Sequence, residues 1–504
     1  MNFALFLEMH ACGRPEALAV ADSRLRLSYA ELERAASGFA AHLKARGIGE
    51  GERVAFFLPN RVELAIGLLG AFKAGVIAVP LNWRLVEADL AQVLRHCEPR
   101  LLVASEELAQ NLPLPDGTAL LLAGKAPRSG SFWEALTADR FPAVGRQARD
   151  IANLLYTSGT TARPKAAIHT HGMRFTISGT MADCFGLSCR DVGLAVSPLF
   201  HTGGLSVFCN AIFAGGAVHL LERWDLGDFL AAIEREQVTF LHLVSTIVVD
   251  LVRAPADRFA ALPKTVRFCW GGGHNVDPNI FLEYERRIGG LFLQGYSRTE
   301  GGIAYNPLDR DRRRFDRHGF PSRNNSEMAI LDPATEQPQP ADTTGEIVFR
   351  GDGVTPGYWD RAGLIAPPAF SGGWQRTGDL GQIGADGSLL FIGREDHVIK
   401  TGGENVSPAE VGAVLLGLPG VSDAVVLDLP DERLGKVVAA LVVPKDPSLT
   451  VAEIDAGCRA ALAGFKIPRR IAIVAELPRL GSQKVDLAAC REILRRHPGP
   501  LAGR

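Results

Sequence analysis

The sequence predicts an α/β protein: a large N-terminal domain of helix-covered sheets carrying a small β unit, then a small α+β C-terminal domain. Three observations predict this. The chain has 504 residues, several times the roughly 150 of a typical domain. Apolar runs of strand length alternate with helical patterns over 27–105 and again over 191–294, as they do in sheets covered by helices. After Arg394 a separate stretch of about a hundred residues, a normal domain size, carries its own helix caps and β runs.

The elements follow in order. Ser28 precedes Glu31 by three residues, a capping-box spacing, so the first helix of the region begins there. A strand at Val54-Ala55-Phe56-Phe57-Leu58, a helix over 63–74 and a strand over 76–80 come next. The apolar stretch 62–81 is interrupted by Glu63, Lys73 and Pro80, which suits a buried helix running into a strand better than a membrane span. The charge-dense segment 310–317 reads as a solvated loop, with a phosphate-binding patch as the sharper alternative. Residues 326–392 read as short strands broken by Gly, Pro and Asp, the small β unit. In the last domain, Ser407-Pro408-Ala409-Glu410 reads as a capping box with proline at the first helical position, and Thr450-Val451-Ala452-Glu453 as another. Between them lie β runs at 424–429 and 437–443.

Composition narrows the function classes. With 54 Lys+Arg against 56 Asp+Glu the net charge is −2, which argues against a nucleic-acid binder. The hydrophobic share of 47% and charged share of 22% are those of an ordinary globular protein. Only 10 of the 54 basic residues are lysine; genome base composition accounts for that, and it makes a lysine inside a motif less ordinary. The eight cysteines form no CxxC pair and no zinc spacing. They predict reduced thiols and a cytoplasmic protein, and the first eight residues lack the basic region of a signal peptide. No stable membrane insertion is expected.

The strongest local signal is Tyr156-Thr157-Ser158-Gly159-Thr160-Thr161-Ala162-Arg163-Pro164-Lys165, set between two apolar runs. Hydroxyls and a glycine in a turn supply donors for phosphate oxygens, and Lys165 adds a mobile cation. The GxxxxGK[ST] spacing of a Walker A loop is absent, and a Ser/Thr-rich hairpin turn is what composition alone would suggest.

This loop resembles the phosphate-binding signature of the adenylate-forming superfamily, which includes acyl- and aryl-CoA synthetases, peptide-synthetase adenylation domains and luciferases. Other signatures stand in the same order: Pro198-Leu199-Phe200-His201, Gly295-Tyr296-Ser297-Arg298-Thr299-Glu300, Arg376-Thr377-Gly378-Asp379-Leu380, Gly393-Arg394-Glu395-Asp396, Gly402-Gly403-Glu404-Asn405, and Lys484. The resemblance implies an AMP-forming acid–CoA ligase using ATP, Mg²⁺ and coenzyme A. A carboxylic acid and ATP would give an acyl-adenylate and pyrophosphate; the CoA thiol would then give acyl-CoA and AMP.

By that resemblance Thr157, Ser158, Gly159, Thr160, Thr161 and Lys165 would hold the β- and γ-phosphates. Thr299 would contact the α-phosphate and Glu300 would bind Mg²⁺. Tyr296 offers an aromatic face to adenine, with Gly272 and Gly273 beside the nucleotide. Asp379 would accept the ribose hydroxyls, with Arg394 next to it. Lys484 would bridge the attacking carboxylate and the α-phosphate. The resemblance divides the chain at 1–395 and 396–504, with a hinge at Asp396 about which a mobile C-terminal domain turns. That turn would withdraw the lysine and bring Gly402, Gly403 and Glu404 to CoA. His201, Val244, Gly272 and Gly302 would line the acyl pocket, with His201 also among the catalytic candidates. Small and apolar residues predominate there, so a fatty, cyclic or aromatic acid is expected, while Arg298 leaves a second carboxylate open.

Four positions depart from the family pattern: Ala162 and Ala166 stand where glycine is usual, Gln483 replaces the glycine before the lysine, and Leu487 replaces a basic residue. Two other readings stay open: a stand-alone adenylation enzyme that loads a carrier protein, and a non-catalytic nucleotide-binding protein. A homodimer is also open.

Overall fold

The computed structural model describes residues 1–138, 140–157, 164–272, 278–322, 326–361, 363–395, 398–401, 404–479 and 485–496. Among these, two large sheets face each other across a layer of helices. The first sheet has nine strands in the order Phe320–Pro321, Ile303–Tyr305, Leu291–Ser297, Phe268–Gly272, Phe240–Val244, Val192–Ala195, Ala217–Leu220, Leu18–Ala21 and Arg26–Ser28. The second has eight, in the order Gly363–Ile365, Tyr358–Asp360, Lys165–Thr170, Ile151–Thr157, Ile77–Pro80, Arg53–Phe57, Leu101–Ser105 and Ala119–Ala123. Pairing is parallel through the middle of both; it is antiparallel at both ends of the first sheet but only at the Gly363–Ile365 end of the second, whose Ala119–Ala123 edge is parallel.

Side-chain alternation along the strands builds the layers. Phe268 and Trp270 point into the shared core between the sheets, while Cys269 points to the opposite face. In the second sheet Val54 and Phe56 face the shared core, and Ala55 and Phe57 face away. Strands buried on both faces read as continuous apolar runs, as these do. Helix Val62–Ala74 lies in the shared core and is buried from Val62 to Lys73. Its charged residues are buried in pairs: Lys73 Nζ donates to Glu8 Oε1 at 2.5 Å and Glu33 Oε1 at 2.6 Å. Glu63 accepts from Arg24 at 2.7 Å and Trp133 at 3.0 Å. No helix among the described residues is long and apolar enough to cross a membrane.

The small β unit is a four-stranded antiparallel sheet, Glu327–Leu331, Gly345–Arg350, Gln375–Ile383 and Leu389–Arg394. Its core, which includes Ile347, Phe349 and Leu389, also takes in Tyr296 and Ala304 of the first sheet. A separate unit follows. Strands Val421–Asp431, Gly435–Pro444 and Arg470–Ile473 form a sheet with helices Pro408–Gly417, Val451–Ala461 and Leu487–Arg496, and its core clusters begin at Ile399 and draw on no residue before it. This is a large N-terminal domain with a small C-terminal one.

The caps compare closely with the sequence reading. Both halves of the capping boxes at Ser28 and Thr450 form. At Ser407 only the serine half forms, its Oγ accepting from Glu410 N at 3.3 Å; Glu410 instead accepts from Lys466 at 2.6 Å. In segment 310–317 Arg313 is paired with Glu285, and Arg314 with Asp316 and Asp386, which favours the solvated loop over a phosphate patch. Ala166 sits in a regular strand without positive φ, so alanine there imposes no backbone strain.

Candidate active site

Strands Ile151–Thr157 and Lys165–Thr170 form an antiparallel hairpin in which Thr157 pairs with Lys165. The two residues flank its tip and Lys165 is exposed. Ser158, Gly159, Thr160, Thr161 and Ala162 lie outside the described residues. Strand Tyr358–Asp360 pairs with the same hairpin, Tyr358 against Ala167. From there the Tyr358 hydroxyl donates to Glu300 Oε1 at 2.8 Å, and Glu300 Oε2 lies 3.6 Å from Arg298. Within the same hairpin His169 Nε2 donates to the Thr299 carbonyl at 2.7 Å. Thr299 and Glu300 are thus tied to the hairpin through their backbone and their carboxylate respectively.

Each residue of Arg376-Thr377-Gly378-Asp379 has its own task. Arg376 binds the buried Glu346 carboxylate with Nε at 2.8 Å, and Thr377 Oγ1 donates to Ile347 O at 2.6 Å and accepts from Asp379 N at 2.9 Å. Gly378 has φ +69°, and a Cβ there would lie 3.1 Å from Arg394 Nη2, so glycine meets both demands. These contacts hold Asp379, 6% exposed, with Oδ2 accepting from the Tyr296 hydroxyl at 2.5 Å and Oδ1 3.2 Å from Arg394 Nη1. Burial pushes the Asp379 carboxyl above the usual carboxylate range, and the Tyr296 hydrogen bond and nearby arginines oppose that. The Tyr296 ring is stacked on Phe349 and tilted against Phe391. It is 7% exposed, and its hydroxyl positions Asp379.

Beside Thr299 lies a small cavity of about 30 Å³. Its wall includes Thr202, Gly203, Gly301 and Ile303 but not His201, Val244, Gly272 or Gly302, the residues the resemblance assigns to the acyl pocket. His201 is the exposed N-cap of helix Thr202–Ala214, Val244 is 37% exposed, Gly272 ends its strand, and Gly302 backs onto the Phe349 ring. The histidine at the cavity is His242, whose Nδ1 is 3.1 Å from Ser197 Oγ; burial lowers it to about 4. Sequence reasoning also missed Arg174, whose Nε donates to Asn153 Oδ1 at 3.0 Å and whose Nη2 meets His169 Nδ1. A signal for it existed, since an arginine among the otherwise buried positions of helix His171–Phe185 is unusual for a core face.

Glu404 opens a short ribbon, Glu404–Val406 against Ile399–Thr401, and is exposed. Gly273, Asp396, Gly402, Gly403 and Lys484 lie outside the described residues. Among the described residues no group of three or more His, Cys, Asp or Glu side chains could hold a metal.

The AMP-binding enzyme family matches residues 7–359 and its C-terminal domain residues 410–484. A feruloyl-CoA synthase from Amycolatopsis is 34% identical over 476 residues, 94% of each chain. A 2-succinylbenzoate–CoA ligase from Geobacillus kaustophilus is 34% identical over 485 residues, 95% of this chain and 96% of that one. The ATP-bound crystal structure of MatB from Rhodopseudomonas palustris superposes with a TM-score of 0.87 at 29% identity, covering 98% of this chain and 99% of that one. The chain belongs to the family of AMP-binding enzymes. Within it, this protein is an AMP-forming acid–CoA ligase, with ATP, CoA and a carboxylic acid as its substrates.

Proposed function

We propose that both half-reactions run at the site bounded by the 157–165 hairpin, Thr299, Glu300, Asp379 and Arg394. In the first, the acid carboxylate attacks the α-phosphate of ATP; the new P–O bond makes the acyl-adenylate, and the bond to pyrophosphate breaks. In the second, the CoA sulfur attacks the acyl carbon, gives up its proton, and AMP leaves. The observation that supports this most is the linkage of distant motifs. Asp379 is held by Tyr296, Glu300 by Tyr358, and Thr299 by His169, so ribose-, phosphate- and hairpin-side groups are connected over short distances.

The roles follow from chemistry. Two anions must approach each other, so charge neutralisation and positioning dominate the first step. Thr157, Lys165 and the hydroxyls between them take the β- and γ-phosphates, and Thr299 the α-phosphate. Asp379 accepts the ribose hydroxyls and Arg394 keeps its carboxylate oriented. Lys484 carries the cation that follows charge onto the bridging oxygens. Gly402, Gly403 and Glu404 border the path for the pantetheine arm.

Glu300 fits a magnesium ion in kind: a carboxylate with one oxygen held by Tyr358 and the other, among the described residues, in no closer contact than the loose one of 3.6 Å with Arg298. Mg²⁺ favours a single protein carboxylate together with substrate phosphates and water. When bound it supplies charge neutralisation on the phosphates.

We also place a domain boundary at 395/396, with Asp396 as hinge and 396–504 moving as a unit. Supporting it, the core clusters separate between Phe391 and Ile399, and one contact between the two parts is exposed and polar, Arg253 Nη2 donating to Ser422 O at 3.0 Å. Free cysteines, three of them exposed, favour a reducing compartment such as the cytoplasm. Acid-dependent exchange of pyrophosphate into ATP without CoA, followed by AMP release on adding CoA, tests the assignment. Exchange that needs CoA would remove the adenylate intermediate from it.

A further inference from the structure

We infer that the acid this enzyme activates carries a second anionic group, a carboxylate or sulfonate, received by Arg174 and Arg298 in the cavity beside Thr299. The inference rests on the ligase reading of the site and specifies its substrate class.

Arg174 is 1% exposed and lines the cavity. Its partners Asn153, His169 and Cys209 are uncharged: His169 gives its Nε2 proton to the Thr299 carbonyl, burial holds it well below its ordinary protonation range, and burial pushes the Cys209 thiol up to about 11. Among the described residues Arg174 forms no ion pair. Arg298 lines the same cavity with its side chain 12% exposed. Its contact with Glu300 is loose at 3.6 Å, and its Nη1 is buried with no hydrogen-bond partner among the described residues. Thr202 and Gly203, the first turn of helix Thr202–Ala214, form another part of the wall, and His201 gives this helix end no side-chain cap. The positive end of its dipole therefore adds to the same field.

Two buried guanidinium groups and a helix N-terminus line one cavity, and the carboxylates nearest them, Glu300 and Asp379, act on Arg298 and leave Arg174 without a counter-ion among the described residues. A buried cation without its counter-ion costs folding free energy, and a bound anion would recover it through charge-assisted, bidentate hydrogen bonds. An acid with a purely apolar tail would instead leave Arg174 without a counter-ion and Arg298 Nη1 without a hydrogen-bond partner. This departs from the expectation of an uncharged acyl or aryl group and takes up the second carboxylate that Arg298 left open. The cavity, about 30 Å³, has room for a carboxylate-sized group, and Met173, Ile177 and Trp270 would cover a short carbon chain.

The test compares kcat/KM for CoA-dependent AMP release by the wild-type chain on three- to six-carbon dicarboxylates and sulfoacetate with that on monocarboxylates of matched length and on benzoate. At least one dianion should exceed its monoanionic match a hundredfold or more; sulfoacetate against malonate tells a sulfonate site from a carboxylate site. Arg298→Met should cut that preference at least tenfold through KM for the acid rather than for ATP. Arg174→Leu should do the same. Because Arg174 also braces two strands, near-UV circular dichroism verifies its fold, and Arg174→Lys should restore part of the preference. Monoanions used as well as dianions by the wild-type chain would overturn the inference and leave the ligase reading intact, as would an unchanged preference in Arg298→Met. AMP release with a long-chain or larger aromatic monocarboxylate but with none of the dianions would also overturn the inference alone, and failure of those acids as well would overturn both.

Discussion

Asp379 and Arg394 are direct partners across antiparallel strands Gln375–Ile383 and Leu389–Arg394, and Arg394 Nη1 lies 3.2 Å from Asp379 Oδ1. Sheet register alone thus brings a residue of one motif against a residue of another. The carboxylate is fixed from both sides, by Tyr296 at Oδ2 and by Arg394 at Oδ1.

Asp379→Asn keeps the shape and removes the charge. Hydrogen bonds to charged groups contribute about 1.5–3 kcal/mol, so KM for ATP in pyrophosphate exchange should rise roughly 10- to 100-fold. KM for the acid should change little. An unchanged KM for ATP would take Asp379 out of nucleotide binding.

Tyr358→Phe removes the donor to Glu300 Oε1 and leaves the carboxylate in place. We expect exchange activity to fall about 3- to 10-fold, in line with the loss of one hydrogen bond of roughly 1 kcal/mol, and the Mg²⁺ concentration for half-maximal rate to rise. A magnesium titration reads both. Loss of rate with an unaltered magnesium requirement would separate Glu300 from the metal.

Lys73 is fully buried between Glu8 and Glu33. Lys73→Ala leaves two carboxylates facing a cavity, and breaking a buried pair costs about 3–5 kcal/mol. Chemical denaturation should show a loss of that order in the N-terminal domain. Burial already raises the Glu33 carboxyl, and Lys73 opposes that, so part of the lost stability should return on acidification.

Burial lowers His171, His219, His242 and His318 from 6.5 to about 4. The unfolded chain therefore takes up protons that the folded chain refuses, so stability is full above pH 6.5 and falls toward pH 4. At pH 5.5 each histidine costs about 1 kcal/mol. Melting temperature should drop steadily from pH 7.5 to 5.5, and a flat profile would show that these histidines are solvated.

Much of this was legible in the sequence because it is local. Ser28 and Glu31 are three residues apart, and the Arg376-Thr377-Gly378-Asp379 run needs each of its residues within one turn. Glu346, Tyr358, His169 and Arg174 were not legible, because each acquires its partner through strand pairing or helix packing across long separations. Glu346 meets Arg376 from a neighbouring strand, and Tyr358 meets Glu300 only because its strand joins the hairpin. The Ser407 box failed for a related reason: Lys466, 56 residues on, competes for Glu410.

The central claim is that one N-terminal site runs two half-reactions with a lysine needed only for the first. The most direct measurement compares Lys484→Ala with the wild-type chain in both, pyrophosphate exchange and thioester formation from a supplied acyl-adenylate. The account predicts exchange lowered by several orders of magnitude and thioester formation within a few-fold of wild type. Equal loss of both, or exchange that survives the substitution, would contradict it.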